Sequence, residues 1–228
     1  MCGRFNIIDD PLTQLIMEIV GGNVPWTVTT EYNIAPTQMV PVLRYSEVEG
    51  WDMPSMRWWL VPYWSPEPST KYSMFNAKSE TLTKSRAYKE PFKRRRCVIP
   101  VSGYYEWKKE GSVKVPYYIE PVNEPGFAFA GLWDRWERGD QVLESCTIVT
   151  AASPEAMKNI HHRIPVHLNV AQARTWVNQE TTSSRLQELL KPEIRMDIQV
   201  TPVSTVVNNA RNKDARCVEP LGETIRIH

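Results

Sequence analysis

The sequence predicts a single α+β domain with a curled, barrel-like antiparallel sheet as its core and short flanking helices. Its 228 residues are enough for one large core. Short strand-like runs follow one another, with helical stretches interspersed irregularly, which favours α+β over regularly alternating βαβ units. Eighteen prolines interrupt any long element, and no internal repeat is present. We therefore expect one domain over residues 1–228.

The clearest helical periodicity is near the N-terminus. Asp9-Asp10-Pro11 predicts a helix start, because acidic residues and proline are favoured in the first turn. Apolar residues then recur on one helical face, and Gly21-Gly22 indicates where the helix ends. Further helices are predicted at Glu80–Tyr88, Pro154–Asn159, Ala171–Asn178 and Ser183–Leu190.

Runs rich in β-branched and aromatic residues predict the strands. They lie at Val40–Tyr45, Met56–Leu60, Cys97–Val101, Tyr104–Lys108, Val115–Glu120, Phe127–Trp133, Ser145–Thr150 and Asp197–Pro202. Lys109-Glu110-Gly111-Ser112 predicts a hairpin loop between two of them, and Tyr63–Ser73 a longer loop.

Charge and hydropathy exclude several classes of protein. The net charge of +1 is not that of a general nucleic-acid binder, so any basic footprint must be local. No stretch approaches the roughly eighteen uninterrupted apolar residues of a membrane span. No charged segment followed by an apolar run opens the chain, so we expect no signal peptide.

The cysteine pattern argues against a metal centre. The four cysteines are widely separated, with no CxxC pair and no Cys/His cluster: Cys2, Cys97, Cys146 and Cys217. Such usage favours a reduced, cytoplasmic compartment.

Cys2 is the most informative residue for function. Because cysteine is small, removal of Met1 is expected, and Cys2 would then carry a free α-amine beside its thiol. Both groups have reference pKa values within about a unit or two of neutrality, and the pair can convert an aldehyde into a five-membered thiazolidine. The alternative is an accidental cysteine at a fraying terminus.

Three further residues have a structural and a functional interpretation. Glu106 lies in the aromatic run Gly103–Trp107, either facing outward by strand alternation or facing a pocket that raises its pKa. His161 is either an ordinary packed imidazole or a proton donor. Asn76 reads most simply as a cap or turn residue.

Taken in order along the chain, these motifs closely resemble the SRAP family, the SOS response-associated peptidases understood as abasic-site processing proteins. The resemblance rests on Met1–Phe5, Tyr32–Thr37, Asn76–Glu80, Gly103–Trp107, Ala130–Trp133 and His161–Pro165, and continues into Val203-Ser204 and Val207–Asn209. It covers nearly the whole chain.

The resemblance implies the family's α+β fold and covalent, lyase-type capture of abasic sites in single-stranded DNA. It implies that Cys2 is the crosslinking nucleophile, Glu106 a proton shuttle, Asn76 an orienting group, and His161 the group acting on the deoxyribose ring oxygen. The peptidase label is then explained by removal of Met1. We expect no cofactor, no metal and no membrane partner, and a monomer associated with the nucleoid when bound to DNA.

DNA contact is expected from a local patch. Arg4, two residues from the nucleophile, is a natural phosphate ligand, and Lys78 and Arg163 are further candidates. Those aromatic residues that are exposed among Trp58, Trp59, Trp64 and Phe75 would stack on bases. The basic run Lys93–Arg96 is equally explained as a solvated loop.

Two positions depart from the family pattern. The family usually has arginine at Lys78, so this chain exchanges a bidentate phosphate fork for a point charge. Trp59 stands where glycine is common, and its bulk is either core or part of the DNA channel.

Two other functions remain as alternatives. The first is an N-terminal-cysteine amidohydrolase, since class II glutamine amidotransferases also begin Cys-Gly after loss of Met. The second is a non-covalent single-strand binding module in which Cys2 is incidental. The downstream motifs of the amidotransferases are not apparent in the sequence.

Overall fold

Sheet A is a six-stranded antiparallel sheet that carries the N-terminal residues. The structure, a computed structural model, describes residues 2–228. The strands of sheet A are β1 Phe5–Ile7, β2 Glu31–Ile34, β9 Gly103–Glu110, β10 Val113–Pro121, β15 Ile198–Pro202 and β16 Ile225–Ile227. Their order across the sheet is β16-β15-β10-β9-β1-β2, which puts the short N-terminal strand between β9 and β2.

Sheet B contains the two longest strands, which form one hairpin. Its strands are β3 Met39–Pro41, β6 Ser55–Trp58, β7 Asn76–Lys78, β8 Arg96–Val101, β11 Phe127–Arg138, β12 Gln141–Ala152, β13 Arg163–Pro165 and β14 His167–Leu168. The order is β14-β11-β12-β6-β3; β8 also pairs with β11, and β7 and β13 also pair with β12. A separate two-stranded ribbon consists of β4 Arg44–Ser46 and β5 Gly50–Asp52. The predicted α+β class is confirmed, with a curled half-barrel of sheet and a few short helices.

The helices confirm part of the sequence prediction. Helix α1 spans Asp9–Val20, and Gly21 ends it in the left-handed conformation (φ 87°) that glycine tolerates. Helices α3 Val170–Val177 and α4 Ser183–Leu189 match the predicted segments, and α2 is Lys89–Arg94. In residues 2–228, no helix is long and apolar enough to cross a membrane.

Two predicted helices are wrong. Within Glu80–Tyr88 only a 3₁₀ turn at Ser79–Thr81 forms, and Pro154–Asn159 contains only the 3₁₀ turn Glu155–Met157. The Thr81 hydroxyl donates to the carbonyl oxygen of Lys78 (3.1 Å), a local bond that favours a turn over a continuing helix.

The predicted strands form, with one division. Val40–Tyr45 splits into β3 and β4 because the chain changes partners in between: Val40 pairs with Met56 of β6, whereas Leu43 bridges to Val98 of β8. The hairpin between β9 and β10 is confirmed, and Gly111 takes its positive φ (61°).

Both faces of sheet A are covered. The inner face packs against sheet B in the main core, to which Tyr104 belongs. The outer face packs under the C-terminal residues in a smaller cluster, formed by Tyr105, Tyr118, Val203, Val207 and Cys217. Successive residues of β9 therefore point to two different buried environments.

Candidate functional site

Pairing between β1 and β9 places the N-terminus beside Glu106. Phe5 lies opposite Tyr104, and the N–H of Tyr105 donates to the carbonyl oxygen of Arg4 (2.9 Å). Cys2 is fully buried, so it is not a fraying terminus. Burial raises the pKa of its thiol, and the nearby charge of Glu106 raises it further.

Glu106 faces inward. Its position in β9 is two residues from Tyr104, which puts both on the inner face of sheet A, and only 3% of the residue is exposed. The outward-facing alternative is therefore wrong, because the outer positions Tyr105 and Trp107 are covered by the C-terminal residues instead. Burial raises the pKa of the Glu106 carboxyl to about 7. This carboxyl can both hold and release a proton near neutral pH.

His161 comes to the same place from sheet B. It follows the turn Glu155–Met157 and precedes β13, and its Nδ1 lies 4.0 Å from Oε1 of Glu106. The backbone N–H of Arg163 donates to His161 Nδ1 (3.1 Å). Burial lowers the pKa of His161 to about 4, well below the ordinary value. The imidazole is thus neutral near pH 7; its Nδ1 is equally close to the carbonyl oxygen of Arg163 (3.1 Å), to which it donates in the other tautomer.

Asn76 holds the backbone of Cys2. It lies in β7, which runs parallel to β12 with Asn76 opposite Ile148, and it is buried. Its Nδ2 donates to the carbonyl oxygen of Cys2 (2.7 Å). The cap or turn interpretation is wrong, since the residue is in a strand and its side chain connects sheet B to the N-terminus on sheet A.

Glu106 and His161 line an open pocket beside Cys2. Arg4, Glu106, Trp107, Lys114, His161 and Asn208 line it. The guanidinium of Arg4 lies over the ring of Trp107 (5.7 Å), whose Nε1 donates to Oδ1 of Asn208 (2.7 Å). Sequence reasoning did not single out Trp107, Lys114 or Asn208 as site residues, although Trp107 and Asn208 both lie in motifs that carry the family resemblance. Within residues 2–228, no three metal-ligating side chains are grouped to hold a metal ion.

Two of the expected DNA contacts are placed elsewhere. Trp58 is completely buried: its ring packs on Phe5 (4.8 Å between centroids), and its Nε1 donates to the carbonyl oxygen of Phe75 (2.9 Å). The expectation that it stacks on bases is therefore wrong. Arg163 is buried and forms a bidentate ion pair with Glu80 (2.6 and 3.0 Å), so it braces β13 rather than presenting a free charge.

Other candidates remain accessible. Lys78 is exposed in β7, two residues beyond Asn76 and on the same face of the strand. Trp59 is partly exposed and packs against Phe75 (5.3 Å between centroids). In the basic run, Arg96 is buried and donates to backbone carbonyls, including that of Trp176 (2.6 Å), whereas Lys93 and Arg94 are exposed.

Comparison with known proteins identifies the family. The family model described as SOS response associated peptidase (SRAP) matches residues 1–210. The chain belongs to the SRAP family. One SRAP relative, the abasic site processing protein YoaM of Bacillus subtilis, is 33% identical over 225 residues, covering 96% of this chain and 98% of that protein.

A further relative and a solved structure are also similar to this chain. The abasic site processing protein HMCES of Xenopus tropicalis is 34% identical, over 83% of this chain and 66% of that protein. A crystal structure of a protein from Bacteroides thetaiotaomicron has a TM-score of 0.75 and 26% identity, covering 83% of this chain and 85% of that chain. The SRAP fold deduced from the motifs is therefore confirmed.

Proposed function

We propose that this protein processes abasic sites by capturing them covalently in single-stranded DNA, through a thiazolidine formed by the α-amine and thiol of Cys2. The names of the relatives support abasic-site processing. The observation that carries the proposal is the position of Cys2, buried beside Glu106 and bound through its carbonyl to Asn76. Met1, whose removal frees the amine, lies outside the described residues.

The reaction begins on the sugar. An abasic deoxyribose is mostly a closed hemiacetal, so its C1′–O4′ bond must break, with O4′ gaining a proton and the 1′-hydroxyl losing one. The Cys2 nitrogen then bonds to C1′, giving a carbinolamine. Loss of its hydroxyl as water leaves an imine. The thiol sulfur bonds to C1′ while its proton passes to the nitrogen, which closes the ring with net release of one water.

Glu106 and His161 divide the proton transfers. With a pKa near 7, Glu106 accepts the proton of the α-ammonium and returns one to the departing hydroxyl. His161 is neutral at this pH, so it acts on O4′ as a hydrogen-bond donor through its ring N–H, and the moving protons are carried on Glu106. Asn76 orients the reacting residue without competing for protons.

Removal of Met1 is the only peptidase step in this proposal, and the lyase-type step is the capture of the sugar. The buried position of Cys2 does not favour the alternative of a non-covalent module with an incidental cysteine. No contact in the described residues favours the amidohydrolase alternative.

A denaturing gel with an abasic single-stranded oligonucleotide tests the proposal. Wild type should give a shifted, SDS-stable band, and Cys2→Ala should give none while still binding DNA without a covalent bond. Cys2→Ser should give no durable band, because an oxazolidine hydrolyses more readily than a thiazolidine. A normal yield of stable adduct from Cys2→Ala contradicts the proposal; glutaminase activity, or a complex lost on denaturation, supports one of the alternatives.

A further inference from the structure

Asn33 is the centre of a buried hydrogen-bond cluster next to the site. It is fully buried in β2. Its Nδ2 donates to the carbonyl oxygens of Val207 (3.2 Å), Asn209 (3.1 Å) and Asn212 (2.8 Å). Its Oδ1 accepts from Nη1 of Arg4 (2.7 Å). One amide thus ties the C-terminal turn to the residue two positions from the nucleophile.

The acceptors around Arg4 are neutral. Nη1 also donates to the carbonyl oxygen of Val207 (2.7 Å), so both of its acceptors are uncharged oxygens. Arg163, by contrast, is paired with Glu80. Neutral acceptors fix a guanidinium without cancelling its charge. Arg4 therefore presents a fixed, uncompensated positive charge at the wall of the pocket.

Residues beyond 210, where the match to the family model ends, complete the cluster. Nζ of Lys213 donates to the backbone oxygen of Asn33 (2.6 Å) and to Oε1 of Gln38 (2.9 Å), and it pairs with Glu31. These bonds connect β2 to the C-terminal turn independently of the Asn33 side chain. One link between β2 and the C-terminal turn would still allow the turn to rotate, whereas two links at different residues hold it in one orientation.

We propose that Asn33 is a positioning residue that holds Arg4 for contact with the DNA backbone beside the captured sugar. The inference rests on the proposed function, because it assigns to Arg4 a contact with a phosphate of the single strand. Asn33 itself is too buried to touch DNA. Asn33 acts by fixing the orientation of the Arg4 guanidinium. Its hydrogen bonds to the C-terminal turn fix the orientation of Asn33 itself.

A double-mutant cycle on binding to an undamaged single-stranded oligonucleotide tests the inference. The variants are Asn33→Ala, Arg4→Ala and both together, measured by fluorescence anisotropy at several salt concentrations. Asn169→Ala, which removes the cap of α3 away from the site, is the control for loss of stability. Should Asn33→Ala fail to fold, Asn33→Ser takes its place, since serine keeps a polar group at this buried position but lacks the amide oxygen that accepts from Arg4.

We expect Arg4→Ala to weaken binding about tenfold and to reduce the salt slope by about 0.7, the value for one phosphate contact on a single strand. Asn33→Ala should reproduce both changes in part, and should add less than about twofold once Arg4 is absent, because coupled residues are not additive. Asn169→Ala should leave the salt slope unchanged. Loss of stability alone would lower the folded fraction without altering that slope.

Independent effects of Asn33→Ala and Arg4→Ala, or an unchanged salt slope in Asn33→Ala, would overturn the inference. A wild type that does not bind the oligonucleotide would overturn it too. A wild type that binds the undamaged strand and shows the coupling, yet forms no adduct with an abasic strand, would support the positioning role and contradict the proposed covalent function. The experiments therefore distinguish failure of the positioning role from failure of the proposed covalent function.

Discussion

Nδ1 of His161 lies 4.0 Å from Oε1 of Glu106, and burial moves the pKa values of the two groups in opposite directions. The pKa of the Glu106 carboxyl rises to about 7, whereas that of the His161 imidazole falls to about 4. Near neutral pH, the carboxyl is therefore the group of the pair that exchanges protons. The sequence also predicted Glu106 as a proton shuttle, but it predicted His161 as a second proton donor with a pKa near its ordinary value.

The first prediction concerns the pH dependence of capture. If ionised Glu106 accepts the proton of the α-ammonium, the ratio of the single-turnover rates of wild type and Glu106→Gln should increase from pH 6 to pH 8, with a midpoint near 7. Taking the ratio reduces the contribution of the amine, which titrates in both proteins. We expect Glu106→Gln to be slower by about 10²–10⁴-fold at pH 8. A ratio independent of pH would remove Glu106 from proton transfer.

The second prediction is that the same substitution stabilises the fold at high pH. Because the folded-state pKa of Glu106 is raised from 4.5 to about 7, the folded chain binds the proton more tightly, and stability is lost as pH rises through this interval. Glutamine does not titrate. The free energy of unfolding of Glu106→Gln should therefore exceed that of wild type at pH 8 by on the order of 1–3 kcal/mol, and the difference should shrink by pH 4.

Urea unfolding at both pH values measures this difference. The contrary result is a Glu106→Gln protein that is less stable than wild type at pH 8. It would show that hydrogen bonds and charges stabilise the buried carboxylate by more than desolvation destabilises it.

The third prediction concerns a buried histidine outside the site. His167 is 1% exposed and packs against the rings of Phe127 and Phe129, with ring centroids 4.5 and 5.5 Å away. Within residues 2–228 neither ring nitrogen has a hydrogen-bond partner. Burial lowers its pKa to about 3, so protons bind the unfolded chain preferentially, and stability is lost as pH falls below about 6.5.

Replacement of His167 by phenylalanine should reduce the loss of stability at low pH. His167→Phe should gain about 2 kcal/mol relative to wild type on going from pH 7.5 to pH 5, because the unfolded wild type alone takes up the proton. Thermal unfolding at the two pH values measures the change. Equal pH slopes for the two proteins would contradict the assignment of a neutral, buried imidazole.

The fold was predictable where local chemistry decides it. Helix α1 has its own start, apolar face and terminating glycine, and the β9–β10 hairpin has its own turn residues. Strands of three residues, such as β1 and β13, are too short to show a readable alternation, so only their pairing with β9 and β12 identifies them.

The site was predictable from its residue types but not from its geometry. The motifs gave Cys2 and Glu106 as candidates for one site, yet their burial depends on which face of sheet A the C-terminal residues cover. The same limitation explains Trp58: an aromatic residue in a motif can be a stacking surface or a core residue, and only its packing against Phe5 decides. Asn33 had no chemical signature of its own, since an amide gains its role from its partners.

The intact mass of the denatured complex tests the central claim most directly. Wild type should form, without any reductant, an adduct whose mass equals that of the protein lacking Met1 plus the abasic oligonucleotide minus one water. Cys2→Ser should give a lasting adduct only when borohydride reduces the imine, because its ring closure is not durable. Efficient formation of an adduct whose mass still includes Met1 would contradict the α-amine mechanism, and would leave a thiol-only adduct as the explanation.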